Sequence, residues 1–274
     1  MYSGCSDLFS GVVCFGEERD WREFSNLAKF WRLKQCTRFL PKLRARVARD
    51  LSGRKLTQRR VLAGMVALLD LTSIRVGNEE YVRQNNSYGL ATLRNKHLSF
   101  KGRKAVLRFR GKSGLKRETL IEEPRLVRLL KQLRKLPGAH VFQFLDDAGT
   151  IRPADATMVN DYLRELADVP FTAKEFRTWK ASALAAGILL ANLDVDKIAA
   201  RKRVLNDAIR TVADALGNTT TVCRKYYIHA GLMDAYLDGR FAADFQRFKP
   251  RRQGRLSRDE RILARFLRRW SPLD

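Results

Sequence analysis

In 274 residues, 54 lysines and arginines against 29 aspartates and glutamates leave a formal net charge of +25, and 45% hydrophobic residues suffice for a buried core. That apolar share argues against disorder along the whole length, and no run reaches the roughly eighteen apolar residues of a membrane-spanning helix. The length suits one large domain or two small ones. So large a basic excess calls for a polyanionic partner. Nucleic acid comes first, because lysine and arginine neutralise phosphates and release condensed counterions. An anionic membrane surface comes second, but no basic amphipathic segment adjoins a lipidation signal, so no membrane partner is expected. Purely structural basic proteins are usually shorter and more heavily biased. Cys5, Cys14, Cys36 and Cys223 form no C-x-x-C pair and read as reduced thiols. Three histidines are too few and too scattered for a histidine-based metal centre.

Residues 1–20 have no basic region ahead of their apolar stretch and no clear period, so they read as a loosely ordered lead without a secretory signal. From Trp21 the pattern is helical, with Leu27, Phe30, Trp31, Phe39, Leu40, Leu43, Val47 and Leu51 spaced near one turn. Pro41 predicts a break and a new helix start. A strongly apolar helix follows over Thr57 to Asp70. Between His97 and Glu123 the period becomes two: Ala105, Leu107 and Phe109 alternate with Val106, Arg108 and Arg110. Gly111-Lys112-Ser113-Gly114 supplies a turn and Thr119-Leu120-Ile121 returns, a β-hairpin with a third strand at Leu98-Ser99-Phe100. After Pro124 the chain reads as helical, broken over Leu136 to Arg152 and near Gly217. Ser257 and Glu260 form a capping-box pattern before a helix with Ile262, Leu263, Phe266, Leu267 and Trp270 on its apolar face. The expected fold is α+β, mostly helical, with one small antiparallel sheet.

Two motifs mislead. Gly111-Lys112-Ser113 ends like a phosphate-binding loop, but Val106 stands where the first glycine belongs and the context is a hairpin. Asp194-Val195-Asp196 could hold a cation, though an isolated pair of this kind usually lies on a solvated turn. Four other segments carry more. They are Ser73-Ile74-Arg75-Val76-Gly77-Asn78-Glu79-Glu80-Tyr81 with Asn86-Ser87-Tyr88-Gly89-Leu90; Lys112 at the hairpin tip; Lys174-Glu175-Phe176-Arg177-Thr178-Trp179; and Leu216-Gly217-Asn218-Thr219-Thr220-Thr221-Val222-Cys223-Arg224-Lys225-Tyr226-Tyr227. Taken singly, each has a bland reading: a surface arginine, a turn lysine, a helix-capping arginine, a glycine helix stop before core tyrosines.

In this order, together with Phe39-Leu40-Pro41-Lys42-Leu43-Arg44-Ala45-Arg46-Val47, the segments resemble the catalytic domain of type IB DNA topoisomerases, in particular the short bacterial and poxvirus-like branch. The resemblance runs from Trp21 to the final helix and implies the tyrosine-recombinase/type IB catalytic fold. It makes Tyr227, nine residues beyond Asn218, the nucleophile in preference to Tyr226. It makes Arg75 and Arg177 the pair that grips the scissile phosphate, and Lys112 the acid that protonates the leaving oxygen. Asn218 stands where poxvirus and eukaryotic members have histidine; its amide can donate to a phosphate oxygen but cannot exchange a proton at neutral pH. Tyr81, Lys174, Arg224 and Lys225 are the further DNA contacts expected.

The same resemblance implies double-stranded DNA as partner, a monomer, a cytoplasmic, nucleoid-associated location, and relaxation of supercoils through a 3′-phosphotyrosyl link with neither ATP nor metal. Short members of the family carry a β-rich N-terminal domain that residues 1–20 do not resemble, so the sequence is expected to be a catalytic domain, residues 21–274, without that front part. Two alternatives remain at this point. A tyrosine recombinase or integrase usually shows His-x-x-Arg where this chain has Lys174 three residues before Arg177. A truncated, non-catalytic DNA-binding remnant would rest on charge alone.

Overall fold

A computed structural model describes residues 5–7, 12–14, 18–167, 169–248 and 254–271, with side chains from residue 30 onward except Ser113. In chain order the elements are β1 (Cys5–Asp7), β2 (Val12–Cys14), α1 (Glu18–Leu51), α2 (Gln58–Thr72), α3 (Glu79–Asn85), β3 (Leu98–Lys101), β4 (Lys104–Arg110), β5 (Lys116–Ile121), α4 (Pro124–Leu133), β6 (Gln143–Leu145) and β7 (Ile151–Pro153). Then follow α5 (Ala156–Leu166), α6 (Ala173–Leu190), α7 (Ile198–Leu216), α8 (Thr220–Tyr226), α9 (Ala230–Asp238), α10 (Arg240–Phe245) and α11 (Arg258–Arg269). The fold is α+β and mostly helical. α2 is buried along most of its length and packs on α1, α4, α5 and α6, while α6 also packs along α11 and α7. The three-stranded sheet β3-β4-β5 is antiparallel, with Leu98 opposite Leu107 and Phe109 opposite Arg117.

Three expectations are corrected. Pro41 lies inside α1, not at a helix start. Proline there removes one backbone hydrogen bond and costs about 3 kcal/mol. The helix continues because Phe39, Leu40, Leu43 and Val47, none more than 6% exposed, bury a common stripe on both sides of it. Within residues 1–20, expected as a loose lead, β1 and β2 pair antiparallel, with Ser6 opposite Val13, and α1 begins at Glu18. The break over 136–152 contains a second hairpin, β6 with β7, closed by Asp146, whose carboxylate accepts from the Ala148 and Thr150 backbone N–H groups. Strands of three residues are too short for alternation to register. Two small two-stranded sheets therefore join the one expected.

The final helix is as read: Ser257 caps α11 in a capping box with Glu260, and Ile262, Leu263, Phe266 and Leu267 are buried.

Candidate active site

The site is assembled from four chain segments. The first leaves α2, which Thr57 caps and which ends at Ser73 in the left-handed region (φ 54°). Ile74, 1% exposed, anchors the next turn in the core, so Arg75 emerges from a fixed base. Residues 75–76 then lie against 90–91: the Leu90 N–H donates to the Arg75 carbonyl at 2.8 Å and the Ala91 N–H to the Val76 carbonyl at 2.7 Å. Two glycines permit this. A Cβ on Gly89 would stand 2.5 Å from the Gly77 Cα and 2.7 Å from the Arg75 oxygen, and Gly77 itself has φ +83°. The spacing Arg75-Val76-Gly77…Gly89-Leu90 is thus a backbone-to-backbone contact that holds one arginine.

The second segment is α6, opened by a Thr172/Glu175 capping box. Arg177, 3% exposed, donates through Nη1 to the Ser73 carbonyl and through Nη2 to the Leu216 carbonyl at 3.0 Å. Those carbonyls end α2 and α7, so the helix-capping reading of Arg177 is true as far as it goes. The third segment is the α7–α8 junction. Gly217 stops α7 (φ 58°), and Asn218 Oδ1 accepts from Arg75 Nη2 at 2.5 Å. The Asn218 Nδ2 is buried, with the Cys223 thiol as its neighbour. Immediately after the seven-residue helix α8 comes Tyr227, whose ring lies 5.1 Å from the Arg177 guanidinium carbon. Its carbonyl accepts from Ser182 Oγ at 3.1 Å, and Ser182 Oγ in turn accepts from the His229 N–H at 3.0 Å. Buried Ile228 and His229 fix the chain just beyond.

The fourth segment is the loop between β4 and β5. It is closed by Gly111 N–H to the Leu115 carbonyl, and it presents Lys112 exposed. Arg75, Lys112, Lys174, Arg177 and Tyr227 line one cleft of about 810 Å³, with Tyr81, 56% exposed, on its wall. Among the described residues, no aspartate or glutamate lines it. Asn218 stands behind the wall, joined through Arg75. Tyr226, adjacent in sequence, is 44% exposed outside the cleft with Lys225 Nζ 5.5 Å from its ring centre. Arg224 and Lys225 lie on α8 outside the cleft, and Arg224 donates to Asn206 Oδ1 at 2.6 Å.

Burial alone would raise the Tyr227 phenol. The charge and hydrogen bond of Arg177, and more weakly the charges of Arg75 and Lys174, carry it below the usual tyrosine value. Arg177 is itself held below the usual arginine range by burial and by Arg75. Among the described residues no carboxylate pairs with either arginine, and no cluster of His, Cys, Asp or Glu could hold a metal; Asp194 and Asp196 are solvated. Three participants were not read from the sequence. Arg110 lines the cleft beside Lys112, Ser182 pins the Tyr227 carbonyl, and Arg117 lies against Gly217. Counting back from buried Ile121 by twos puts Thr119 and Arg117 on the inward face of β5, a signal that was available. Ser182 had none, since one serine in an alanine-rich helix resembles any other.

Residues 18–248 match the family described as eukaryotic DNA topoisomerase I, catalytic core. The chain is 31% identical over 215 residues to a DNA topoisomerase 1B of Acanthamoeba polyphaga mimivirus, covering 76% of this chain and 64% of the viral protein. It is 26% identical over 230 residues to a DNA topoisomerase 1 of Schizosaccharomyces pombe, covering 83% of this chain and 27% of that protein. A DNA topoisomerase 1B of Vaccinia virus is 22% identical over 186 residues, 66% of this chain and 55% of the viral one. The chain thus spans less than two thirds of each of these relatives. They are viral and fungal; the bacterial affinity expected above rests on the sequence resemblance alone.

Proposed function

The chain belongs to the DNA topoisomerase I catalytic-core family, and from that premise we propose that it acts as a monomer on double-stranded DNA through type IB chemistry. Tyr227 cuts one strand, holds it as a 3′-phosphotyrosyl ester while supercoils relax, and rejoins it with neither ATP nor metal. The observation that carries this reading is the cleft itself: a phenol acidified by Arg177 shares it with Arg75, Arg110, Lys112 and Lys174, and no carboxylate lines it among the described residues. Such a cleft suits an anion whose charge grows during reaction, because fixed guanidinium groups stabilise that charge without reorganising.

In this reading Tyr227 Oη attacks phosphorus and its proton passes to water. The bond from phosphorus to the 5′ oxygen breaks, and Lys112 gives that oxygen a proton as general acid. One phosphodiester replaces another, so the step conserves bond energy and reverses readily. Arg75 and Arg177 hold the non-bridging oxygens. Asn218 acts through its Oδ1, which accepts from Arg75 and so fixes that guanidinium. Tyr81, Arg110, Lys174, Arg224 and Lys225 add phosphate and sugar contacts, which grip duplex without reading sequence.

The test is plasmid relaxation in EDTA together with adduct formation on a short nicked duplex. Tyr227→Phe should abolish the covalent adduct and leave duplex binding nearly unchanged, since no positive charge is lost. Tyr226→Phe should stay active. An adduct surviving in Tyr227→Phe refutes the assignment. For Lys112, alanine should be rescued by a 5′-bridging phosphorothiolate, whose sulfur leaves without a proton; equal impairment on both substrates makes Lys112 a phosphate ligand only.

A further inference from the structure

Three consecutive residues at the end of α7 are each met by a different arginine. The Leu216 carbonyl accepts from Arg177, and the Asn218 side chain accepts from Arg75. Gly217, between them, lies under the guanidinium of Arg117: a Cβ there would stand 2.3 Å from Arg117 Nη2 and 2.8 Å from its Nε. Arg117 comes from β5, on the inward face it shares with Thr119 and Ile121. Its stem also passes Gly111, next to Lys112, with Cδ 3.6 Å from where a Cβ would stand. Among the described residues it forms no salt bridge and no hydrogen bond, although its two neighbours in sequence are Lys116 and Glu118 and Glu118 is engaged by Arg108.

We propose that Arg117 is a third arginine of the anion site, a positioning residue that is seated on Gly217, spaces the two guanidinium groups of Arg75 and Arg177, and adds its charge to the field at the reacting phosphoryl group. This rests on the type IB reading of the cleft. Arg117 is absent from the cleft wall, so its effect passes through Gly217 and its flanking residues and through space. The energetics agree. Burial first, then the like charges of Arg177 and Arg75, push the Arg117 guanidinium down to about 10. A half-buried cation repelled by two others costs stability in the free protein. It gains only when an anion arrives, most of all one acquiring a second negative charge in a phosphoryl-transfer transition state.

That sign separates the proposal from a packing role. Single-turnover adduct formation is to be measured at saturating protein for the full chain and for Arg117→Gln and Arg117→Lys. The duplexes carry either a normal phosphodiester or a neutral methylphosphonate at the cleavage position. Arg117→Gln is expected to slow the phosphodiester reaction about tenfold, less than the roughly hundredfold or more that follows loss of a donor touching the developing charge. Arg117→Lys should recover most of the rate. The methylphosphonate, with one charge fewer, should show a smaller loss, and the glutamine variant should melt no lower than the parent. An unchanged rate overturns the proposal, and so does equal slowing on both backbones with a lowered melting temperature and no rescue by lysine. If the parent chain forms no adduct on the phosphodiester, the reading of the cleft falls and this proposal with it; if it does and Arg117→Gln matches it, only the role of Arg117 falls.

Discussion

Behind the cleft, Arg44 of α1 donates from Nε and Nη2 to both carboxylate oxygens of Asp70, at 2.7 and 2.8 Å, and from Nη1 and Nη2 to both of Glu260, at 2.9 and 2.6 Å. Glu260 also accepts from the Trp179 indole and the Ser257 N–H, so one cluster bolts α1, α2, α6 and α11 together. In the cleft and just behind it, Arg75, Arg177 and Arg117 share no carboxylate among the described residues; Arg75 and Arg177 lean on an amide and on carbonyls, and Arg117 lies against Gly217. Arg60 is a third case, buried yet spent on the carbonyls of Leu51, Arg54 and Lys55 at the end of α1, away from the cleft. A cation that holds a fold carries its counter-charge within the protein. One that handles a substrate leaves that place open. The bolt and the open cluster are neighbours: Lys180, one turn beyond Arg177 on α6, donates to the Leu71 carbonyl just ahead of Arg75.

The contrast is broken most sharply by truncating one arginine of each kind. Arg75→Ala should lower the single-turnover rate of adduct formation roughly 10²–10³-fold, the usual cost of one lost donor to a developing oxyanion. Its melting temperature should not fall, because like-charge repulsion with Arg177 is relieved. Arg44→Ala should do the reverse. It leaves the Asp70 and Glu260 carboxylates without their shared guanidinium, for a loss of about 3 kcal/mol in chemical denaturation, with adduct formation by the still-folded fraction near normal. If Arg44→Ala is stable, or Arg75→Ala unfolds, the division between the two clusters fails.

A smaller effect sharpens the geometry. Gly89→Ala puts a methyl group onto the Gly77 backbone and the Arg75 carbonyl, so the two strands of chain must part. A destabilisation of about 1–3 kcal/mol is expected from such overpacking. The rate should drop further than the stability alone explains, because the displaced atoms carry Arg75. Gly53→Ala, where a Cβ meets only the Arg60 Cδ at an ordinary 3.6 Å, is the control for losing a glycine without the clash.

The site was far more legible than its supports. Arg75, Lys112, Arg177, Asn218 and Tyr227 were singled out through ordered motifs that resemble the type IB family, since each alone has a bland reading; the cleft gathers all but Asn218, which joins it through Arg75. The helix ends were readable for local reasons, such as the Thr172/Glu175 and Ser257/Glu260 boxes. Pro41 misled because its local cost is real while the buried stripe that offsets it is tertiary. The strands β1, β2, β6 and β7 were lost to their brevity. Arg117 and Ser182 were invisible for another reason: each acts across more than 40 residues of sequence, on Gly217 and on Tyr227, and no local pattern encodes that. The preference for Tyr227 over Tyr226 came from the spacing that the family resemblance implies, and the cleft agrees only in that Tyr227 lines it and Tyr226 does not.

The gentlest perturbation acts on the outermost cation. Lys174 is exposed at the start of α6 and is the last of the charges that lower the Tyr227 phenol, after Arg177 and Arg75. A phenol held below its usual value releases its proton at lower pH, so the reactive phenoxide, and the rate with it, should rise with pH and level off before the ordinary tyrosine range. Removing a favourable positive charge must move that rise to higher pH. Lys174→Gln should therefore shift the ascending limb upward by a few tenths of a unit while leaving the plateau rate close to that of the parent. Because Lys174 is solvated, its field is screened over about 8–10 Å near physiological salt and over roughly 3 Å at 1 M. The shift should thus be clear at low ionic strength and vanish in concentrated salt, whereas Arg177, buried against the ring, should keep its influence at both. A single-turnover pH profile at two salt concentrations decides it. A salt-insensitive shift would mean that Lys174 reaches the phenol by direct contact, and no shift at either salt would mean that the acidity of Tyr227 is set by the buried arginines alone.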